Sequence, residues 1–168
     1  MALRLVPAKP ADARAIAALR NASAAHLAKA FGPGPWSHEA SDEGVLRRMQ
    51  TATIYLHRRG PSLVAMFALS TRKPFSIDAS YFSPIGRPLY LTDMAVHPHY
   101  QRDGIGRACL AAVEDLVRAW PADGVRLDAY DAAAGAGKFY ERCGYAERGR
   151  ASYRGTRLIY YEHLTPPG

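Results

Sequence analysis

The sequence has little of several features that define common protein classes. It contains only 2 cysteines in 168 residues, and Cys109 and Cys143 have no metal-ligand spacing, so we expect buried free thiols and no bound metal. No apolar run approaches the roughly 18–20 residues that span a bilayer. The stretch from Met1 to Pro7 lacks the basic-then-apolar layout of a secretory signal. We therefore expect a cytoplasmic protein with no membrane partner.

Acidic residues are also too few to balance the basic ones. There are 15 Asp and Glu against 22 Lys and Arg, which gives a formal net charge of +7. Such an excess can indicate nucleic-acid binding. The basic residues are scattered, however, in short pairs such as Arg47-Arg48 and Arg58-Arg59, with no block of five and no zinc-finger or RNA-binding signature. A basic protein equally suits a cofactor that carries several phosphates, so we expect no nucleic-acid partner.

The hydrophobic content of 48% is ordinary for a globular protein, and the length of 168 residues suits a single domain, 1–168. Hydrophobic periodicity and Gly/Pro breaks predict strands and helices in a mixed order. The predicted strands are 3–7, 53–56, 63–69, 89–96, 125–129, 145–150 and 156–164, and the predicted helices are 10–31, 41–49, 106–120 and 132–143. The strand–helix–strand unit over 89–129 requires a parallel pair, and hairpins before and after it make the sheet mixed. The predicted fold class is therefore α/β.

The segment Gln101-Arg102-Asp103-Gly104-Ile105-Gly106-Arg107 lies between a buried strand and a helix start. Glycines in such a loop let consecutive backbone N–H groups face one anion, and the helix N-terminus favours the same anion. Arg102 and Arg107 add full positive charge. A Walker loop is excluded because no Gly-Lys-Ser/Thr follows, and a dinucleotide fingerprint is excluded because Cys109 stands where the third glycine belongs. The loop predicts a phosphate site.

Two stretches carry a family resemblance. The first is Met94 to Leu110 (MAVHPHYQRDGIGRACL), and the second, some 30 residues later, is Phe139 to Tyr145 (FYERCGY). Together they resemble the GNAT superfamily of N-acetyltransferases, strongly over 89–146, whereas the N-terminal third matches only in the order of its elements. The resemblance implies a mixed, mostly antiparallel twisted sheet of about 6–7 strands with a central splayed parallel pair, flanked by about four helices.

The resemblance also implies a transferase that uses acetyl-CoA (coenzyme A) as co-substrate and acts on a primary amine in a ternary complex. Gln101 to Arg107 would hold the pyrophosphate, and Met94, Ala95 and Val96 would pair with the pantetheine arm. The Met94 N–H would stabilise the oxyanion that develops as the amine attacks. Tyr140 would lie near the sulfur and donate a proton to the departing thiolate; otherwise it is a core aromatic.

The sequence departs from the family pattern before the Tyr140 helix. Relatives often have an asparagine there that contacts the pantetheine, and Ala133 stands at that position here. Gly135 and Gly137 weaken the predicted helix by roughly 1 kcal/mol each relative to alanine. These departures put the pantetheine contact and the order of the helix in question.

The chemistry also needs a group that removes a proton from the amine, because an alkyl ammonium with a pKa near ~10.4 is not nucleophilic at pH 7. Asp93 and Asp128 are the candidates, since burial would raise their pKa values. Strand alternation places Thr92, Met94 and Val96 on one face and Asp93 on the other. A bound water is a further candidate for the base, and Asp93 is otherwise a satisfied structural carboxylate.

Three hypotheses follow. The first is an N-acetyltransferase, with 89–146 as the cofactor-binding core and 1–88 as the acceptor side. The second is a non-catalytic acyl-CoA-binding regulatory module, and the third is a charge-driven nucleic-acid binder. For the first, a strongly cationic acceptor suits the basic chain less well than a small-molecule amine or a protein or peptide N-terminus. The C-terminal strand from Leu158 to His163 is a candidate for pairing across a homodimer.

Overall fold

The computed structural model describes residues 2–166. The strands are β1 (Val6–Pro7), β2 (Thr53–Arg59), β3 (Ser62–Ser70), β4 (Pro88–Val96), β5 (Gly124–Tyr130), β6 (Ala146–Tyr153) and β7 (Thr156–Leu164). The α-helices are α1 (Ala13–Phe31), α2 (Asp42–Met49), α3 (Ile105–Ala119) and α4 (Gly137–Arg142). The strands form one 7-stranded sheet in the order β1-β2-β3-β4-β5-β7-β6. Within the described residues only β4 and β5 pair in parallel, so the predicted mixed sheet is confirmed.

Helices cover both faces of this sheet. On one face the apolar stripe of α3, including Cys109 and Val113, is buried against β3, β4 and β5. On the other face Ile16 and Leu19 of α1 and Val45 of α2 pack on β2, β3 and the end of β4. Each amphipathic helix thus removes its apolar stripe from water by lying on the sheet. The two layers leave the central strands with helices on both sides.

Helix α4 is shorter than predicted. The segment from Ala132 to Ala136 forms a turn, closed by a hydrogen bond from the Gly135 N–H to the Ala132 carbonyl at 2.9 Å. A Cβ at Gly135 would overlap the carbonyl of Tyr130. The glycine therefore permits a close return of the chain against the end of β5 rather than merely weakening a helix. The predicted helix 132–143 was wrong over its first five residues.

Two other expectations need correction. Strand β7 lies between β5 and β6, so both of its edges are already paired and Leu158 to His163 cannot add a strand from a second copy. Cys109 is a buried free thiol as expected, but Cys143 follows the end of α4 and is only half-buried.

A β-bulge interrupts β4. Met66 pairs with Ala95 and Ala68 pairs with Thr92, so an advance of three residues along β4 matches an advance of two along β3. Asp93, in the middle of this advance, has a φ of 54°, a left-handed conformation that aspartate tolerates better than most residues. One extra residue on β4 reverses the alternation of its side chains.

The reversal changes which residues share a face. Leu91 before the bulge and Met94 after it both contact the core cluster beneath α3. Asp93 faces α1 and α2, since it contacts arginines from both helices. The alternation expected from Thr92 to Val96 is therefore wrong at Thr92, because a period of two holds only in a strand without a bulge. Met94 and Val96 share a face and Asp93 lies on the other, as expected.

The central parallel pair splays apart. Strands β4 and β5 pair only through Pro88 with Gly124, Leu89 with Val125 and Tyr90 with Arg126. Beyond this point β4 follows β3, and β5 follows β7 as far as Tyr130. A cleft therefore opens between the carboxyl ends of the two strands, which is the end of a parallel pair where ligand sites form.

No helix in residues 2–166 combines the length and the apolar character needed to cross a bilayer.

Candidate active site

The cleft between β4 and β5 continues into a cavity of about 410 Å³. Its walls come from α1, α2, both splayed strands, the turn before α4 and the loop that leads into β4. The polar side chains in the lining are Arg20, Ser23, Trp36, His38, Arg48, Ser76, Thr92, Asp93, Asp128, Tyr130 and Tyr140. Three acid–base residues named from the sequence, Asp93, Asp128 and Tyr140, thus reach one cavity although they are far apart along the chain.

Tyr140 lies on α4 and is buried in an aromatic cluster with Phe139, Tyr145 and Tyr161. Its hydroxyl has a weak contact, 3.8 Å to the Met94 Sδ. Burial, with a smaller contribution from the charge of Asp128, raises the pKa of Tyr140 well above its usual range. The hydroxyl therefore keeps its proton at neutral pH, and among residues 2–166 no strong acceptor competes for that proton.

Asp128 lies on β5 and receives a hydrogen bond of 2.6 Å from the Ser76 hydroxyl. Burial raises the pKa of Asp128; the hydrogen bond from Ser76 opposes this, and the charge of Asp93 adds to it. A carboxylate with a raised pKa is a better proton acceptor than an exposed one. Ser76 was not identified from the sequence, since it lies in the Pro-rich stretch 71–88, where no pattern distinguishes it.

Asp93 projects from the bulge between two helices. Its Oδ2 lies 2.9 Å from the Arg48 Nε and its Oδ1 lies 3.4 Å from the Arg20 Nη2. Asp93 is thus a paired carboxylate, which matches the structural alternative expected for it. Neither arginine was identified from the sequence as a site residue, because α1 and α2 meet only in the folded protein. We call Asp93, Arg20 and Arg48 the open cluster.

The predicted phosphate-binding segment, 101–107, leads from the end of β4 into α3. Gly104 is the N-cap residue of α3 with a φ of 78°, and Arg102 has a φ of 71°. The first amide bonded within this helix is that of Ala108, which donates to the Gly104 carbonyl at 3.0 Å. The amides before it belong to the helix N-terminus, where no earlier turn supplies acceptors. Gln101 to Gly104 are exposed, so this end is open to a ligand.

Gly106 connects this loop to the rest of the site. A Cβ at Gly106 would lie 3.1 Å from the Phe139 Cζ and 3.9 Å from the Met94 Cε. The absence of a side chain therefore lets α3 approach both α4 and the bulged strand. Met94 and Ala95 line the cavity, whereas the loop itself lies beyond the end of β4.

Comparison with known proteins agrees with this geometry. The model of the acetyltransferase (GNAT) family matches residues 21–145, and the chain belongs to this family. A search of curated proteins finds no significant match. The predicted family, and acetyl-CoA as its co-substrate, are confirmed.

Solved structures with the same fold have low sequence identity. A Streptococcus mutans protein, smu.2055, has a TM-score of 0.71 at 18% identity and covers 97% of this chain and 99% of its own. A ribosomal-protein-alanine N-acetyltransferase from Brucella melitensis has a TM-score of 0.71 at 16%, covering 96% and 99%. The Salmonella typhimurium protein yncA, solved with its cofactor acetyl-CoA, has a TM-score of 0.68 at 16%, covering 100% and 96%. At these identities the likeness establishes the fold.

The residues present fit a coenzyme A group. The glycines at positions 104 and 106 keep side chains away from the helix N-terminus, and exposed Arg102 and Arg107 flank it. A diphosphate suits free amides, a helix dipole and guanidinium groups. The edge of β4 that faces the cleft has no strand partner after Tyr90 within the described residues, which suits an extended amide-containing arm.

Proposed function

We propose that the protein is an N-acetyltransferase that acetylates a primary amine by direct attack in a ternary complex. The observation that carries the proposal is the convergence of Asp128 and Tyr140 on one cavity at the splayed pair. Acetyl-CoA supplies an activated acetyl thioester when bound. The chain's own residues must then hold this group, remove a proton from the amine and provide one to the departing sulfur.

Binding is assigned to the loop and to β4. The amides of the segment 101–107, with Arg102 and Arg107, bind the pyrophosphate through charge-assisted hydrogen bonds. Met94, Ala95 and Val96 offer the backbone of β4 to the pantetheine amides. Met94 is part of the bulge, whose extra residue falls outside the ladder with β3, and its N–H is our candidate donor to the thioester carbonyl oxygen.

The roles of general base and general acid are assigned to two buried groups. Asp128 accepts a proton from the incoming ammonium, either directly or through one water, because burial makes its carboxylate more basic. Tyr140 holds a proton at its hydroxyl for the departing sulfur, because burial keeps it un-ionised. Asp93 is less suited to act as the base because two guanidinium groups already neutralise it.

One feature favours a second candidate, a non-catalytic acyl-CoA-binding module. Ala133, where relatives often carry asparagine, lies in the tight turn before α4 and offers no side-chain amide to the pantetheine. Both candidates require coenzyme A binding, and only the first requires turnover. A screen of acetyl-CoA against a panel of primary amines, followed by release of free thiol, separates them.

The cofactor loop is tested with a matched pair of glycine variants. Gly104 and Gly155 have nearly the same left-handed φ, 78° and 81°, so alanine at either costs about 1–2 kcal/mol of unfolding free energy. We expect only Gly104→Ala to weaken coenzyme A binding, by about tenfold, measured by calorimetry. Gly155 lies in the β6–β7 turn, and Gly155→Ala should bind coenzyme A as the wild type does. Equal binding by all three proteins would contradict the assigned loop.

A further inference from the structure

The open cluster carries more positive than negative charge. Arg20 on α1 and Arg48 on α2 both line the cavity, and both point at the single carboxylate of Asp93. Arg48 uses its Nε for that carboxylate, which leaves its terminal nitrogens as further donors. About a third of each arginine side chain is exposed, 34% and 36%. One guanidinium charge therefore remains uncompensated at this end of the cavity.

Another part of the lining carries a negative charge. Asp128 on β5 is one of the two carboxylates in the described lining, and its partner there is the neutral hydroxyl of Ser76. The cavity therefore has a cationic end between α1 and α2 and an anionic wall on β5. A ligand that complements this arrangement carries a positive group and a negative group a short distance apart.

We propose that the acetyl acceptor is an α-amino acid or a closely similar small amine that carries a carboxylate. This inference rests on the proposed N-acetyltransferase function. The carboxylate binds between Arg20 and Arg48, because a guanidinium matches a carboxylate with two parallel hydrogen bonds. The amine is then directed toward Asp128, the group assigned to take its proton. Asp93 holds the two guanidinium groups in place.

The rest of the cavity agrees with an acceptor of this size. Its volume of about 410 Å³ suits a single small molecule beside the thioester arm. The Leu27 side chain and the rings of Trp36 and Tyr130 supply apolar surface to the lining, and Trp36 is fixed by a 2.9 Å bond to the Gly32 carbonyl and by edge contact with Tyr130. An uncharged side chain can lie on this apolar surface. A polyamine would place a second positive charge near the arginines, and a peptide N-terminus lacks the neighbouring carboxylate.

The test uses matched acceptors and the wild-type protein. Each α-amino acid in a panel is assayed beside its α-amide and its decarboxylated amine, both of which lack the carboxylate. We expect kcat/KM to be roughly 10- to 100-fold higher for the free acid, the range of a charge-assisted hydrogen bond. Arg48→Gln and Arg20→Gln should each reduce that acid-to-amide ratio at least several-fold. Thermal unfolding and coenzyme A calorimetry report whether each variant remains folded.

The controls are exposed arginines on the same helices. Arg47→Gln on α2 and Arg14→Gln on α1 remove the same charge outside the cavity lining, so both should keep the wild-type ratio. Equal or faster acetylation of the amides, or a ratio that neither Arg20→Gln nor Arg48→Gln changes, overturns the carboxylate site and leaves the N-acetyltransferase function standing. Coenzyme A binding without acetylation of any amine overturns both.

Discussion

Two clusters of charged side chains on the sheet contain the same charges but differ in burial. In the open cluster Asp93 meets Arg20 and Arg48. At the other end of the splayed pair Glu162 meets Arg126 at 3.3 Å and Arg148 at 3.6 Å. We call Glu162, Arg126 and Arg148 the closed cluster. Both place two guanidinium groups on one carboxylate, yet the Glu162 side chain is 2% exposed and the Asp93 side chain 17%.

The clusters also differ in how many hydrogen-bond donors Arg126 and the open-cluster arginines have without a protein partner. In the closed cluster Arg126 donates to the Ser83 carbonyl at 2.7 Å and to the Tyr90 hydroxyl at 3.1 Å, and the Ser83 N–H donates to Glu162 at 3.2 Å. These bonds fasten the loop before β4 to the sheet at the last paired residues of β4 and β5. The arginines of the open cluster retain donors toward the cavity. The buried pair of Arg126 and Glu162 is saturated with partners and holds the fold, whereas the open-cluster arginines keep donors that are available to a ligand.

The largest effect is expected from breaking the closed cluster. Glu162→Gln keeps the shape of the side chain but leaves Arg126 buried without a counter-ion, which should cost about 3–5 kcal/mol of unfolding free energy and lower Tm by roughly 10 °C. Thermal and urea unfolding measure this loss. Asp93→Asn is the matched change in the open cluster and should cost about 1 kcal/mol or less, because Asp93 and both of its arginine partners are partly exposed, whereas Glu162 and Arg126 are buried. Equal losses of unfolding free energy in the two variants would contradict the proposed difference between the clusters.

A second prediction compares two buried tyrosines that contact each other, of which only Tyr140 lines the cavity. Tyr140→Phe removes the hydroxyl assigned as the proton donor and should lower kcat roughly hundredfold, with little change in Tm. Tyr145 has a buried hydroxyl with no partner among the described residues. Tyr145→Phe should therefore retain activity and keep or slightly raise Tm. Full activity of Tyr140→Phe in a steady-state thiol-release assay would show that this hydroxyl is not the donor.

The smallest effect concerns the anionic wall of the cavity. A general base works when ionised, so activity is lost as pH falls through the raised pKa of Asp128. The Ser76 hydroxyl lowers the pKa of Asp128, so Ser76→Ala should shift the acid limb of the kcat/KM–pH profile to higher pH. Ser80→Ala is the control, since the Ser80 hydroxyl bonds to exposed Asp78 outside the cavity lining. If Ser76→Ala leaves the limb in place, Asp128 is not the titrating base.

Some parts of the site could be predicted from local sequence because their physics is local. The glycines of the segment 101–107 set the backbone at a helix start, and Ser41 is the N-cap residue of α2, where its side chain accepts a hydrogen bond from the Gly44 N–H. The turn at Gly135 was missed because its necessity comes from Tyr130, a contact made only once β5 is in place. The bulge at Asp93 was missed because alternation along β4 reveals nothing about how many residues β3 sets against it.

By itself the sequence determined the order of elements, the single parallel crossover and the family, since these follow from periodicity along the chain and from motifs of contiguous residues. Tertiary structure alone decided which charged groups are fully paired within the protein and which remain available to a ligand. Asp93 and Arg48 are 45 residues apart and Ser76 and Asp128 are 52 apart. Their distances, burial and unpaired donors depend on how helices and strands pack, and no spacing along the chain encodes that packing locally.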